Sequence, residues 1–196
     1  FIYQKIKSKT ILILFFSIYI LAFIFVSRQR VEVFKNGISV FSDILKSYPE
    51  SYVALNNRGT IYFEKNNLDL ALKDFSESIK TNPQNPYAYN NRAVIYLSIG
   101  KVDEAMHDLN IALNQRPDYA DAYSNRGAAK GMMIDKSAID DHDKAILLQP
   151  NEGKYYYNRG AYYLQFGDNS KGCIDIQKAK KLGIQRINPM FDQICK

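Results

Sequence analysis

The sequence predicts an all-α solenoid of stacked helix-turn-helix units, on three observations. The tripeptide Asn57-Arg58-Gly59 returns as Asn91-Arg92-Ala93, Asn125-Arg126-Gly127 and Asn158-Arg159-Gly160, with arginine steps of 34, 34 and 33 residues. Pro49, Pro83, Pro117 and Pro150 keep the same steps. Small and apolar residues recur in register with both series at helical spacing: Ala71, Phe75 and Ser78, then Ala105, Leu109 and Ala112. A fixed period of this size marks supersecondary units that bury their apolar faces only by stacking on one another.

The chain has 196 residues, room for one such array and an appendage. Its net charge of +6 is local. Residues 1–35 carry Lys5, Lys7, Lys9, Arg28, Arg30 and Lys35 against Glu32, a surplus of +5, and the remaining 161 residues carry +1. Basic charge that flanks an apolar run points to a membrane rather than to nucleic acid.

Residues 1–9 form that basic flank. Residues 10–27 contain no charge, and from Ile11 to Val26 only Ser17 and Tyr19 carry polar side-chain atoms. As a helix this stretch is roughly 27 Å long, close to the hydrocarbon thickness of a bilayer. The expectation is a single-pass transmembrane signal-anchor. A cleaved signal peptide, which would release a soluble exported protein, needs small residues after its apolar core, and Phe25 to Arg30 provides a poor site. A buried soluble helix would not be apolar on every face. The slightly greater basic charge before the span puts the repeats on the exported side, periplasmic or extracellular. Because the first residue is Phe1 rather than Met, a fragment or a processed form is expected.

Residues 31–49 read as a half repeat. Gly37, Phe41, Ile44 and Pro49 stand in the register of Ala71, Phe75, Ser78 and Pro83, so this segment is a second helix without a first. Four full units follow at 52–85, 86–119, 120–152 and 153–186, each a pair of short amphipathic helices; in the first they span roughly 52–64 and 68–80. Asn66-Asn67, Gly100 and Gly167-Asp168-Asn169 mark turns between paired helices. The third unit is one residue short, between Lys130 and Ala138. Proline ends each second helix through its missing N–H, except in the last unit, where Ile184 takes that place. Residues 187–196 are a short tail.

Gly59, Tyr62, Ala71, Phe75 and Pro83 in the first unit resemble the signature of the tetratricopeptide repeat (TPR). So do Tyr89, Ala93, Tyr96, Ala105, Leu109 and Pro117 in the second and Tyr123, Gly127, Ala138, His142 and Pro150 in the third. Tyr156, Gly160, Tyr163, Gly172 and Ile176 represent the fourth. The resemblance covers about residues 35–186 and implies a right-handed superhelix that binds extended peptides or partner proteins on a concave face lined by first helices.

The chain departs from that family where Arg58, Arg92, Arg126 and Arg159 replace a leucine. Asp74, Asp108, Asp141 and Asp175 follow them at offsets of 16, 16, 15 and 16. An arginine at a seam needs a partner, so repeated structural ion pairs between helices are expected, in preference to a basic stripe for an acidic ligand. By carry-over from the family, Asn57, Asn91, Asn125 and Asn158 line the concave face, where an amide can pair with any peptide backbone. The alternative of equal standing is that each bonds a local backbone group. The same face is expected to carry Asn56, Asn90, Phe63, Tyr87, Leu97 and Tyr157. Arrays that grip a C-terminal carboxylate place paired lysine and asparagine where this chain has Asn56 and Thr60, or Asn90 and Val94, and the lysines are absent. An apolar or neutral peptide is therefore the expected partner.

No catalytic motif occurs, so no enzyme activity, cofactor or small-molecule substrate is expected. Two cysteines and two histidines in this spacing do not suggest a metal site. Asp140, Asp141, His142 and Asp143 are neighbours on a helix and point apart, and His142 holds the seam place of Phe75. Cys173 and Cys195 would form a disulfide if the array is exported, but spacing alone does not bring two Cα atoms within bridging distance. A buried thiol and a free thiol is the reading preferred. The functional expectation is a membrane-anchored scaffold or adaptor. The alternative is a non-catalytic regulatory or substrate-recruiting subunit of an enzyme or envelope assembly complex.

Overall fold

The computed structural model describes residues 37–195. The expected transmembrane segment at 10–27 and the start of the half repeat at 31–36 lie outside the described residues. Among those described there are ten helices and no strand: α1 (Gly37–Ser47), α2 (Tyr52–Glu64), α3 (Leu68–Thr81), α4 (Pro86–Ser98), α5 (Val102–Gln115), α6 (Ala120–Met132), α7 (Ala138–Leu148), α8 (Gly153–Gln165), α9 (Asn169–Lys181) and α10 (Pro189–Ile194). None of these is long and apolar enough to cross a membrane.

Some of the starts carry a side-chain cap. The Ser51 side chain accepts from the Ala54 N–H, and Asn85 accepts from Tyr87 just ahead of Pro86 in the first turn of α4. Asp168 caps α9 through the Lys171 N–H. The second helices α3, α5 and α7 stop two residues before Pro83, Pro117 and Pro150, since the residue before a proline is driven out of the helical region. In the fourth unit a different device ends α9. Gly183 takes φ +97°, and Gly183 and Ile184 donate back to the carbonyls of Lys180 and Ala179, a Schellman closure.

The paired helices pack through a seam of small residues. Ala71, Ala93, Ala105, Ala129 and Ala138 are fully buried. At Gly59 a Cβ would stand 2.8 Å from the Phe75 ring, and at Gly127 it would stand 2.8 Å from the His142 ring. Glycine there lets a ring lie directly on the backbone of the facing helix. Unit packs on unit by alternation, α3 on α4, α5 on α6 and α7 on α8. The first helices α2, α4, α6 and α8 also touch in succession, whereas the second helices make no comparable contacts. The array therefore curves with its first helices on the inner side.

The helix α1 occupies the place of a second helix ahead of the first unit and packs on α2. At the other end the structure departs from the expected plain tail. Residues Pro189–Ile194 form α10, capped by Asn188 with Pro189 in its first turn. Phe191 leans on Tyr157 with ring centroids 6.3 Å apart, and Asp192 pairs with Lys180. Cys173 and Cys195 are joined in a disulfide with their Cα atoms 5.1 Å apart. This corrects the preference for two thiols: α10 turns the tail back over α9 and delivers Cys195 to Cys173.

Candidate functional site

Two repeated networks cross the array, and both are built by the 34-residue period. The first is made by the arginines. Arg58 donates to both carboxylate oxygens of Asp74 at 2.7 and 2.8 Å, and Arg92 to those of Asp108 at 2.7 and 2.9 Å. Arg126 holds Asp141 at 2.8 and 2.7 Å, and Arg159 holds Asp175 at 2.7 and 2.9 Å. Each fork joins the two helices of one unit. The remaining guanidinium nitrogen then reaches the second helix of the preceding unit, at Ser42, Ser76, Asn110 and Asp143 in turn. Those four residues again step by 34, 34 and 33. The Ser42 contact puts α1 in the register of a second helix.

The carboxylates are buried and the arginines are half-buried, with side-chain exposures of 2% for Asp108 and 19% for Arg92. Hydrogen bonding to the partner aspartate holds Arg58, Arg92, Arg126 and Arg159 above the ordinary guanidinium range, against the desolvation that would lower them. Burial would raise Asp141, but hydrogen bonds from Arg126 and Lys130 prevail and hold it below the usual carboxylate value. The guanidinium groups also sit over tyrosines: Arg58 over Tyr62, Arg92 over Tyr89 and Tyr96, Arg126 over Tyr123 and Arg159 over Tyr156.

The second network is the set of amides on the first helices. Asn91 Nδ2 donates to Asn56 Oδ1 at 3.1 Å, Asn125 Nδ2 to Asn90 Oδ1 at 2.9 Å and Asn158 Nδ2 to Ser124 Oγ at 2.8 Å. The rule is constant: the asparagine of one unit bonds the residue one place earlier in the unit before. The amide nitrogens thus tie units together, and the Oδ1 atoms of Asn125 and Asn158 have no hydrogen bond among the described residues. Asn57, Asn91, Asn125 and Asn158 are all half-buried, while Asn90 is buried beneath them.

Two grooves open on the inner side. One runs over the first two units between Tyr52, Val53, Asn56, Asn57, Tyr87 and Asn91. Tyr87 is 47% exposed there, and Arg116 steadies it by donating to its hydroxyl and lying over its ring. The other groove lies over units three and four, between Asn125, Ala128, His142, Asn158 and Tyr162. Phe63 and Leu97 are half-buried and also pack against the core, and Tyr157 is partly covered by Phe191. Of the acidic cluster on α7, Asp141 faces Arg126 and Lys130, Asp143 faces Arg159, and His142 is turned inward. The third partners of the arginines and the acceptors of the amides, Asn56, Asn90 and Ser124, are not singled out as such by sequence reasoning. Their equal spacing is the feature that points to them.

Residues 59–100 and 94–133 match the family described as TPR repeat. No curated protein matches the sequence. Among solved structures, the chain resembles TTC0263, a thermophilic TPR protein of Thermus thermophilus, at 18% identity and a TM-score of 0.69, over 81% of this chain and 90% of that one. It resembles MamA at 21% identity and a TM-score of 0.62, over 80% and 92% of the two chains. It also resembles YrrB, a TPR protein with an unusual peptide-binding site, at 16% identity and a TM-score of 0.59, over 73% and 74%. At these identities the likeness is one of fold. The described residues form an all-α solenoid of tetratricopeptide repeats.

Proposed function

We propose that this chain is a membrane-held scaffold that grips an extended segment of a partner protein along the inner side of its repeats. The amide ladder carries this reading. The nitrogens of Asn91, Asn125 and Asn158 donate between units, which fixes those side chains, and the oxygens of Asn125 and Asn158 are left to accept from a ligand. Peptide N–H groups are the complement of such acceptors, and pairing with main chain tolerates many side-chain sequences. The neutral walls around Tyr87 and Tyr162 suit an uncharged segment.

A peptide selected from a random library against the full chain provides the test. N-methylation of the peptide's backbone nitrogens, one at a time, is expected to weaken binding about tenfold at those facing Asn125 and Asn158, the worth of one hydrogen bond. Equal affinity for every methylated form would exclude an acceptor ladder.

The anchor rests on the uncharged run at 10–27, and the exported location rests on its flanking charge. The Cys173–Cys195 bridge supports the same side, since structural disulfides persist in oxidising compartments. Protease protection in the native host tests the location. Repeats digested once the outer envelope is breached, with both cysteines refractory to alkylation before reduction, are the expected result. Repeats protected until the inner membrane is opened, with both thiols alkylated, would place the array in the cytoplasm.

A further inference from the structure

The third unit departs from the others at two facing places at once. On the first helices, the place of Phe63, Leu97 and Leu164 is held by Gly131. On the second helices, the place of Phe75, Leu109 and Ile176 is held by His142. Loss of a large side chain on one helix and gain of a polar one on the facing helix leave a recess whose base is polar. It is lined by Leu97, Asn125, Ala128, His142, Asn158 and Tyr162 among others, and none of its lining residues is charged. Tyr162 takes part of the vacated room, since a Cβ on Gly131 would lie 3.2 Å from its ring, and so forms a wall of the recess.

His142 itself is 1% exposed, and its Nδ1 is buried with no hydrogen-bond partner among the described residues. Nε2 has no hydrogen bond among the described residues either, and it is the ring nitrogen that is not fully enclosed where His142 lines the recess. Buried polar groups in native proteins are almost always paired, and an unpaired ring at the wall of a recess calls for a partner from outside. Asn125 and Asn158, whose nitrogens are engaged with Asn90 and Ser124, add two unpaired amide oxygens at its rim. We propose that this recess is a side-chain pocket within the peptide-binding face, and that it takes a neutral side chain ending in an amide or a hydroxyl. Such a group both donates and accepts, so it serves His142 in either neutral tautomer and the asparagine oxygens as well. A lysine or glutamate would enter without a counter-charge, and a leucine would leave the ring nitrogen unpaired. The proposal rests on the peptide-binding reading above.

The test uses the full chain and a peptide selected from a random library, scanned at every position with Ala, Gln, Ser, Leu, Glu and Lys. One position is expected at which Gln or Ser outbinds Leu, Glu and Lys by about tenfold. Two variants then separate the pocket from the fold. His142→Phe keeps the packing, because Phe75 already lies against Gly59 as His142 lies against Gly127; at that same position it is expected to prefer Leu over Gln. Ala128→Val, which brings in the side chain of Val94, is expected to lower affinity for the Gln peptide about tenfold and to leave the Ala peptide unchanged. A bound peptide with the same side-chain profile in wild type and both variants would overturn the pocket while peptide binding stands. A library that yields no binder would overturn the peptide-binding reading and the pocket with it.

Discussion

The second and third units meet the same structural demand with different side chains. In the second, Ile95 and Leu109 fill the seam, Tyr96 lies under Arg92, and Gly100 makes the turn at φ +77°. In the third, Ala129 and His142 hold those seam places, Lys130 replaces the tyrosine, and Ile134 makes the turn at φ +60°. Yet the arginine fork barely changes, at 2.7 and 2.9 Å in one and 2.8 and 2.7 Å in the other. The seam tolerates exchange of its large residues provided that the facing residue is small. The charged fork is the part that repeats without alteration and ties the paired helices of a unit, while the third arginine bond, to Ser76 in one and Asn110 in the other, ties each unit to the one before.

The largest effect should therefore come from the bridge. Asp108 is 1% exposed, and its loss leaves Arg92 half-buried with Ser76 as its one hydrogen-bond partner among the described residues. Asp108→Ala is expected to destabilise the array by about 3–5 kcal/mol, read as a lowered urea midpoint. Asp141→Ala should cost more, because Asp141 also holds Lys130 at 2.9 Å and two cations lose their counter-charge together. An unchanged midpoint for Asp108→Ala would mean that seam packing alone sets the register.

Burial pushes His142 down to about 4, below its ordinary value of 6.5. Asp141, Asp143 and Asp175 pull it upward and Arg159 pulls it down, but desolvation dominates. The unfolded chain thus takes up a proton first as pH falls. Stability contributed by the neutral ring is complete above pH 6.5 and is lost progressively down to about pH 4, by about 3 kcal/mol in all. His142→Phe should remove that component of the acid profile and raise stability at pH 4.5 relative to wild type. Parallel profiles for the two proteins between pH 4 and 6.5 would show that the ring is not buried neutral.

The period made the helix pairs legible, since positive-φ turns between paired helices and the prolines after α1, α3, α5 and α7 recur in register. An acid 15 or 16 residues after each arginine is visible in the same way. The third bond of each arginine is not, because Ser42, Ser76, Asn110 and Asp143 share a place but not a chemistry. The four asparagines are legible by their period, but their bonds between units are not, because an asparagine pairs equally well with backbone, side chain or ligand. The disulfide depends on α10 folding back, a tertiary event that the 22-residue separation of the cysteines does not encode. Asn188-Pro189 is a readable helix start within the tail, an N-cap followed by a first-turn proline.

The smallest effect concerns the turn. Asn66, Gly100, Ile134 and Gly167 occupy equivalent places and all take positive φ, a region that glycine enters freely and asparagine tolerates. Ile134 is β-branched and 74% exposed, so neither its backbone conformation nor burial of its side chain favours it there. Ile134→Gly is expected to raise stability by about 1 kcal/mol, the relief of a left-handed isoleucine less the added freedom of glycine in the unfolded chain. Gly100→Ile in the second unit should lower it by a similar amount, although a Cβ at Gly100 meets nothing within 4 Å. The pair isolates backbone conformation from packing. Opposite changes in the urea midpoint would assign the difference between the two turns to φ. A loss in both variants would mean instead that the Ile134 side chain contributes to the fold through contacts that outweigh its backbone strain.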